Sequence, residues 1–218
     1  MVMFQKTNLT PLLSRNNLMK SKIEPQQVSD KETAILLELL KSSVDVDGDV
    51  VEFGCYKGDT SLLFQKILEK EPNFRGKHLW LYDSFEGLPA KTKEDSSVAG
   101  DNFKAGELLV TKREVIMRFK KAGLRIPRIR KNFFENLDQN QDLPAQISFA
   151  FLDGDLYQSI KTSLNLIWDK LAENAIVVVH DYNNPELPGV SKALEEWSKN
   201  HQFTITQQET LAIIQKTH

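Results

Sequence analysis

The stretch "VEFGCYKGDTS", residues 51–61, decides how this chain folds. With the two residues before it, it forms an apolar run, "DVVEF" (49–53), that breaks at Gly54. Beyond the break Leu62, Leu63, Phe64, Ile67 and Leu68 recur at helical spacing across 59–70. A strand, a glycine turn and a helix open a nucleotide-binding α/β unit. Gly54 and Gly58 bracket the turn, and Tyr56 fills the place where a dinucleotide fingerprint needs a second glycine to admit a pyrophosphate. Glu52 before the turn would repel phosphate and suit a cationic ligand.

Further apolar runs follow: "HLWLYD" (78–83), "RIRKNF" (128–133), "ISFAFLD" (147–153) and "AIVVVHD" (175–181). Their continuous rather than alternating character suits strands buried on both faces. Helical patterns lie between them at 107–122, 157–171 and 189–200, with Gly123 as a C-cap, and an earlier helix begins at the Ser29/Glu32 capping box. At the chain's end "FTIT" (203–206) and "LAIIQK" (211–216) are joined by four polar residues, too few for a crossover helix. The expectation is an α/β fold with a doubly wound, mostly parallel seven-stranded sheet closed by an antiparallel hairpin. Residues 1–47 form an N-terminal extension and helix, and residues 48–218 form the main domain.

A parallel sheet ending in such a hairpin is the layout of class I S-adenosylmethionine (SAM) methyltransferases. SAM carries no phosphate, and its ammonium group suits Glu52. Asp83, at the end of the second strand, is placed to accept the ribose hydroxyls. Gly54, Tyr56, Gly58, Thr60, Ser61, Ser84 and Phe85 complete the expected cofactor-binding set. Cys55 has no second cysteine or adjacent histidine to activate it and is read as small buried packing.

A second constellation sits in "FLDGDLYQS" (151–159) and "VVVHDYN" (177–183). Asp153, Asp155, His180 and Asp181 all fall at the carboxyl ends of the fourth and fifth strands. Asp153, His180 and Asp181 form a candidate site for Mg²⁺ or another divalent ion, which would bind an acceptor hydroxyl and lower its pKa. Asp153 and Asp155 are the candidate catalytic pair, with Asp155 as general base. The plainer reading of Asp155 is an N-cap of the helix starting near Leu156. The loop from Ser84 to about Gly106 is long and polar and is expected to close over cofactor and acceptor, with Phe85 and Phe103 in contact with one of them.

These stretches, with "LYDSFEGLP" (81–89), "DNFKAGELLV" (101–110), "KNFFENL" (131–137) and "PGVSKALEEW" (188–197), resemble the macrocin O-methyltransferase (TylF-like) family. The resemblance implies a SAM-dependent, divalent-metal-dependent O-methyltransferase of sugar hydroxyls. It maps a metal-binding acid to Asp153, a base to Asp155 and a metal-binding acid pair to His180 and Asp181. Two positions depart from the pattern: His180 replaces an acid and Asn132 a glycine.

The composition narrows the classes further. A formal net charge of −2 gives no electrostatic case for nucleic acid. No stretch approaches a membrane span, and the first 20 residues lack the apolar core of a signal peptide. With a single cysteine, this points to the cytoplasm. The acceptor is expected to be a small molecule, and a homo-oligomer is left open. Two other readings stand beside the methyltransferase: a metal-dependent nucleotide-sugar glycosyltransferase using the same "DGD", and a SAM-binding module without catalysis.

Overall fold

The computed structural model describes residues 27–74, 76–201 and 203–216. The extension expected over 1–28 therefore lies almost wholly outside the described residues. Seven strands form one sheet: β1 (Asp49–Phe53), β2 (Leu79–Asp83), β3 (Arg128–Lys131), β4 (Ile147–Leu152), β5 (Leu171–Val179), β6 (Ile205–Gln208) and β7 (Leu211–Gln215). Their order is β3-β2-β1-β4-β5-β7-β6. Strands β3 to β5 run parallel, and β7 pairs antiparallel with both β5 and β6, as the hairpin signal predicts. The chain leaves β1 for β2 on one side and returns to β4 on the other, so the switch point lies between β1 and β4.

Alternate residues of the central strands feed two cores. Val50, Leu81, Phe149, Phe151 and Val178 pack with helices α1 (Asp30–Ser42), α2 (Asp59–Lys70) and α3 (Lys112–Ala122). Val51, Phe53, Ala150, Leu152 and Val179 pack with α4 (Tyr157–Ile167) and α5 (Pro188–Ser198). Burial of the central strands on both faces is why their sequence shows no alternation.

Helix boundaries differ from the sequence reading at two places. α3 starts at Lys112, five residues later than the apolar pattern suggests, because Thr111 and Glu114 form a capping box there and Leu109 stays exposed. α4 ends at Ile167, and after one 3₁₀ turn β5 begins at Leu171 rather than 175, pairing with Ile147 of β4. α1 starts at its expected box, with the Ser29 side chain accepting from Glu32 N.

Candidate active site

The carboxyl ends of β1, β2, β4 and β5 surround one open cleft, about 1090 Å³ with the adjoining open solvent included. Gly54 holds its near wall. Its φ is +85°, and a Cβ there would stand 1.9 Å from the Asp153 carbonyl oxygen, so no side chain fits. Gly58, also at positive φ, caps α2 without a side-chain bond. The turn between them is fastened by Asp83. One of its carboxylate oxygens accepts the N–H groups of Cys55 and Tyr56, each at 3.0 Å, and the other accepts that of Phe85 at 2.8 Å. Burial raises the pKa of Asp83 above the usual range, against the pull of those bonds.

Glu52 lies below the turn and is almost fully buried. The Ser61 hydroxyl donates to it at 2.6 Å. Burial pushes its carboxyl well above the ordinary range, outweighing the Ser61 bond and reinforced by the charges of Asp153 and Asp83. A cation in the cleft would reverse that balance.

The opposite wall carries the second constellation. Leu152 and Val179 pair in register and His180 N–H donates to Leu152 O, so Asp153 and His180 emerge side by side. The His180 Nδ1 atom is 2.8 Å from Asp153 Oδ1 and 3.1 Å from Asp181 Oδ2. On its other side Nε2 stands 3.7 Å from Oε2 of Glu32. Burial disfavours a charged imidazole, but these carboxylates outweigh it and hold His180 well above its usual range. Burial likewise raises Asp153, offset in part by His180. Asp155 is raised well above normal by burial and by the charges of Asp153 and Asp181. Asp155 and Asp181 both adopt positive φ, 59° and 58°, which turns each chain sharply at its strand end.

The structure removes the helix-cap reading of Asp155. The first turn of α4 is capped from the 84–106 loop, where Asp95 Oδ1 accepts the Tyr157 N–H at 2.7 Å. Asp95 is buried, and a Cβ on Gly189 would come within 1.9 Å of its carboxylate. Relieved of that duty, the Asp155 carboxylate lines the cleft and makes no hydrogen bond with any described residue. The same loop is tied down by Ser97 donating to Pro185 O and Lys192 to Glu94 O.

Of the residues singled out in the sequence, Glu52, Gly54, Tyr56, Thr60, Asp83, Ser84, Asp153, Asp155, His180 and Asp181 line this one cleft. Gly58 shapes the turn, and Ser61 acts through Glu52. Phe85 is a correction: its side chain is buried in the core with Cys55 and Val110, and only its backbone serves the turn. Phe103 instead lines a shallow depression beside the cleft with Asn102, Asn184 and Glu186. Sequence reasoning missed Asp95 and the approach of Glu32 to His180. The Thr92/Asp95 box was a visible signal for neither ligand nor cap of α4, and Glu32 was visible only as a capping residue.

A family profile described as macrocin-O-methyltransferase (TylF) matches residues 33–213. The chain belongs to this family. Among its relatives, the demethyldecarbamoylnovobiocin O-methyltransferase of Streptomyces niveus is 30% identical over 145 residues, covering 63% of this chain and 54% of that one. The tetracenomycin-C rhamnosyl 4'-O-methyltransferase of Streptomyces olivaceus is 28% identical, with the same coverage of 63% and 54%. The chain thus spans a little over half the length of these TylF relatives. In fold it resembles the O-methyltransferase NovP, with a TM-score of 0.73 at 23% identity over 86% of this chain and 80% of that one. The calicheamicin methyltransferase CalS11 follows at 0.67 and 20%, with coverage of 86% and 80%. No helix among the described residues of this TylF member is long and apolar enough to cross a membrane.

The donor set fits a divalent ion. Two ligands in adjacent positions of an octahedral ion stand roughly 3.0 Å apart, and Nδ1 of His180 meets its two carboxylate neighbours at 2.8 and 3.1 Å. The ligand atoms of Asp153, His180 and Asp181 all lie within 4.8 Å of one another.

Proposed function

We propose that this chain is a SAM-dependent, divalent-cation-assisted O-methyltransferase acting on a hydroxyl of a glycosylated small molecule. The observation that carries the reading is the meeting of two acidic walls in one cleft. Glu52 and Asp83 stand by a turn in which Tyr56 takes the place of a fingerprint glycine, and the Asp153, His180 and Asp181 cluster stands beside a carboxylate, Asp155, that no described residue hydrogen-bonds.

When bound, SAM supplies a methyl group on a cationic sulfur, and a divalent ion supplies Lewis acidity toward the acceptor hydroxyl. The chain's own residues do the rest. Glu52 faces the cationic part of the donor. Gly54 lets the backbone come close, and Thr60 and Ser84 line the space beside it. Asp83 fixes the turn and keeps lone-pair capacity for a ribose hydroxyl. Asp153, His180 and Asp181 would hold the ion, with the imidazole making Mn²⁺ or another borderline ion more acceptable than an all-carboxylate set would. Asp155 would take the hydroxyl proton as the methyl carbon leaves sulfur for that oxygen. Asn102, Phe103, Asn184 and Glu186 offer amide, aromatic and carboxylate groups to the acceptor. The glycosidic character of that acceptor rests on the activities for which the Streptomyces relatives are named. In this reading the enzyme works in the cytoplasm, where the free, buried Cys55 stays reduced.

The test combines calorimetry with SAM and with a UDP-sugar and a SAM-consumption screen over hydroxylated glycosides, with Mn²⁺, with Mg²⁺ and with a chelator. SAM binding, no UDP-sugar binding and chelator-sensitive turnover are expected. UDP-sugar binding would favour the glycosyltransferase, and SAM binding with no turnover and no response to metal would leave only a binding module.

A further inference from the structure

We infer that Glu32 is a positioning residue that orients the His180 ring so that Nδ1 faces the cation site. The inference rests on the cation-binding reading of Asp153, His180 and Asp181 and deepens it.

A carboxylate ligand offers equivalent oxygens, but an imidazole offers two different nitrogens and must be told which to present. His180 is 5% exposed, so solvent does not make the choice. Its Nδ1 points between Asp153 and Asp181, and its Nε2 points at Oε2 of Glu32, 3.7 Å away. That separation is an ion-pair distance rather than a hydrogen bond. A carboxylate can only accept, which makes Nδ1 a donor to Asp153 at 2.8 Å; a cation shared by Asp153 and Asp181 would displace that hydrogen, and Glu32 would keep the remaining one on Nε2. Metal-ligating histidines are held in this way by a carboxylate behind the ring.

Glu32 is itself fixed from two sides. Its Oε2 accepts the hydroxyl and the N–H of Ser29, at 2.7 and 3.1 Å. Its Oε1 accepts the hydroxyl and the N–H of Thr210, in the turn between β6 and β7. A capping box needs only the Ser29 half of this arrangement. The burial of Glu32, at 7% exposure, the grip of Thr210 from the far end of the chain and the approach to His180 are all beyond what a cap requires. Together they hold one carboxylate behind one ring.

The experiment titrates Mn²⁺ into the full chain by calorimetry and follows Co²⁺ binding by visible absorption, without SAM or acceptor. Glu32→Gln retains a capping-box residue and removes the charge. It is expected to weaken Mn²⁺ binding by roughly 10- to 100-fold, to shift the Co²⁺ spectrum toward that of His180→Ala, and to melt somewhat below the parent, because its NH₂ meets the donors of Ser29 or Thr210. Thr111→Ala damages an equivalent capping box, that of α3, without touching Glu32 or the ring. It is expected to lower the melting temperature and leave the Mn²⁺ affinity unchanged. Parent protein that binds Mn²⁺ and a folded Glu32→Gln protein that binds it equally well would overturn the inference while leaving the cation site standing. Parent protein that takes up no divalent ion would overturn both. If Glu32→Gln does not fold, Thr210→Val frees the Oε1 side instead. A several-fold weaker Mn²⁺ affinity would then support the inference, and an unchanged one would overturn it.

Discussion

The two walls of the cleft treat their carboxylates in opposite ways. On the β1–β2 side the acids are satisfied from within: Asp83 binds three backbone N–H groups and Glu52 takes the Ser61 hydroxyl. On the β4–β5 side Asp153 and Asp181 meet one imidazole, and Asp155 in the same cleft is left without a hydrogen bond among the described residues. The first wall is a finished scaffold whose polar groups hold a loop in shape. The second keeps unspent valence, which is costly in a folded protein unless a ligand answers it. A binding wall and a reacting wall are thereby told apart by how far each satisfies itself.

The largest expected effect falls on the reacting wall alone. Asp155→Asn keeps the shape of the side chain and removes its capacity to take a proton. Turnover is expected to fall by about 10² to 10⁴-fold, with SAM affinity by calorimetry nearly unchanged. Lost SAM binding would mean that Asp155 belongs to the scaffold and that the contrast between the walls is false.

Gly54→Ala strikes the joint where the walls meet. The new methyl group would lie 1.9 Å from the Asp153 carbonyl oxygen at a φ of +85°. Backbone strain and overpacking together predict a loss of about 2–4 kcal/mol, read as a lower denaturation midpoint, with SAM binding and turnover falling together. An undiminished midpoint would show that the backbones part easily there.

Much of this was legible because apolar strands that end in titratable groups are conspicuous. The glycine turn, Asp83, the "DGD" acids and the His180–Asp181 pair all stand at such ends, and a parallel sheet brings strand ends together. The hairpin was legible from the shortness of its connection. Side-chain direction was not. Phe85 follows Asp83 and resembles a ligand contact, but a φ of 51° turns its ring into the core. The early end of α4 was hidden because Trp168 and Leu171 continue the helical spacing while the chain has already entered a 3₁₀ turn and then β5. Long-range polar pairing was invisible in principle: nothing local in "KEDSS" says that Asp95 caps a helix 62 residues on.

Asp83→Asn tests the self-satisfied wall. An amide in place of the carboxylate sets an NH₂ against backbone donors, leaving at least one N–H of Cys55, Tyr56 or Phe85 unpaired. A loss of about 1–3 kcal/mol is expected, seen in thermal melting, together with weaker SAM binding. If SAM affinity falls with stability intact, the carboxylate serves the ribose more than the turn, and the scaffold description of this wall needs revision.

The smallest effect sharpens the contrast from outside the cleft. Asp95 does for α4 what the sequence suggested Asp155 might do, and its substitution asks whether that division of labour matters. Asp95→Ala removes the acceptor for the Tyr157 N–H and for the Thr92 backbone and hydroxyl. Loss of a helix cap costs about 1 kcal/mol, so a modest drop in melting temperature is expected. With the cap gone, Asp155, two residues before Tyr157, becomes a candidate acceptor for that N–H. Any such capture withdraws the base from the cleft, so turnover should fall further than stability does while SAM affinity holds. Asp95→Asn keeps an acceptor oxygen for the Tyr157 N–H and should restore turnover, while its NH₂ faces the Thr92 donors and leaves part of the stability loss in place. Equal behaviour of the alanine and asparagine variants in turnover would show that Asp155 keeps its place without help from the loop, by virtue of its own backbone turn at φ 59°.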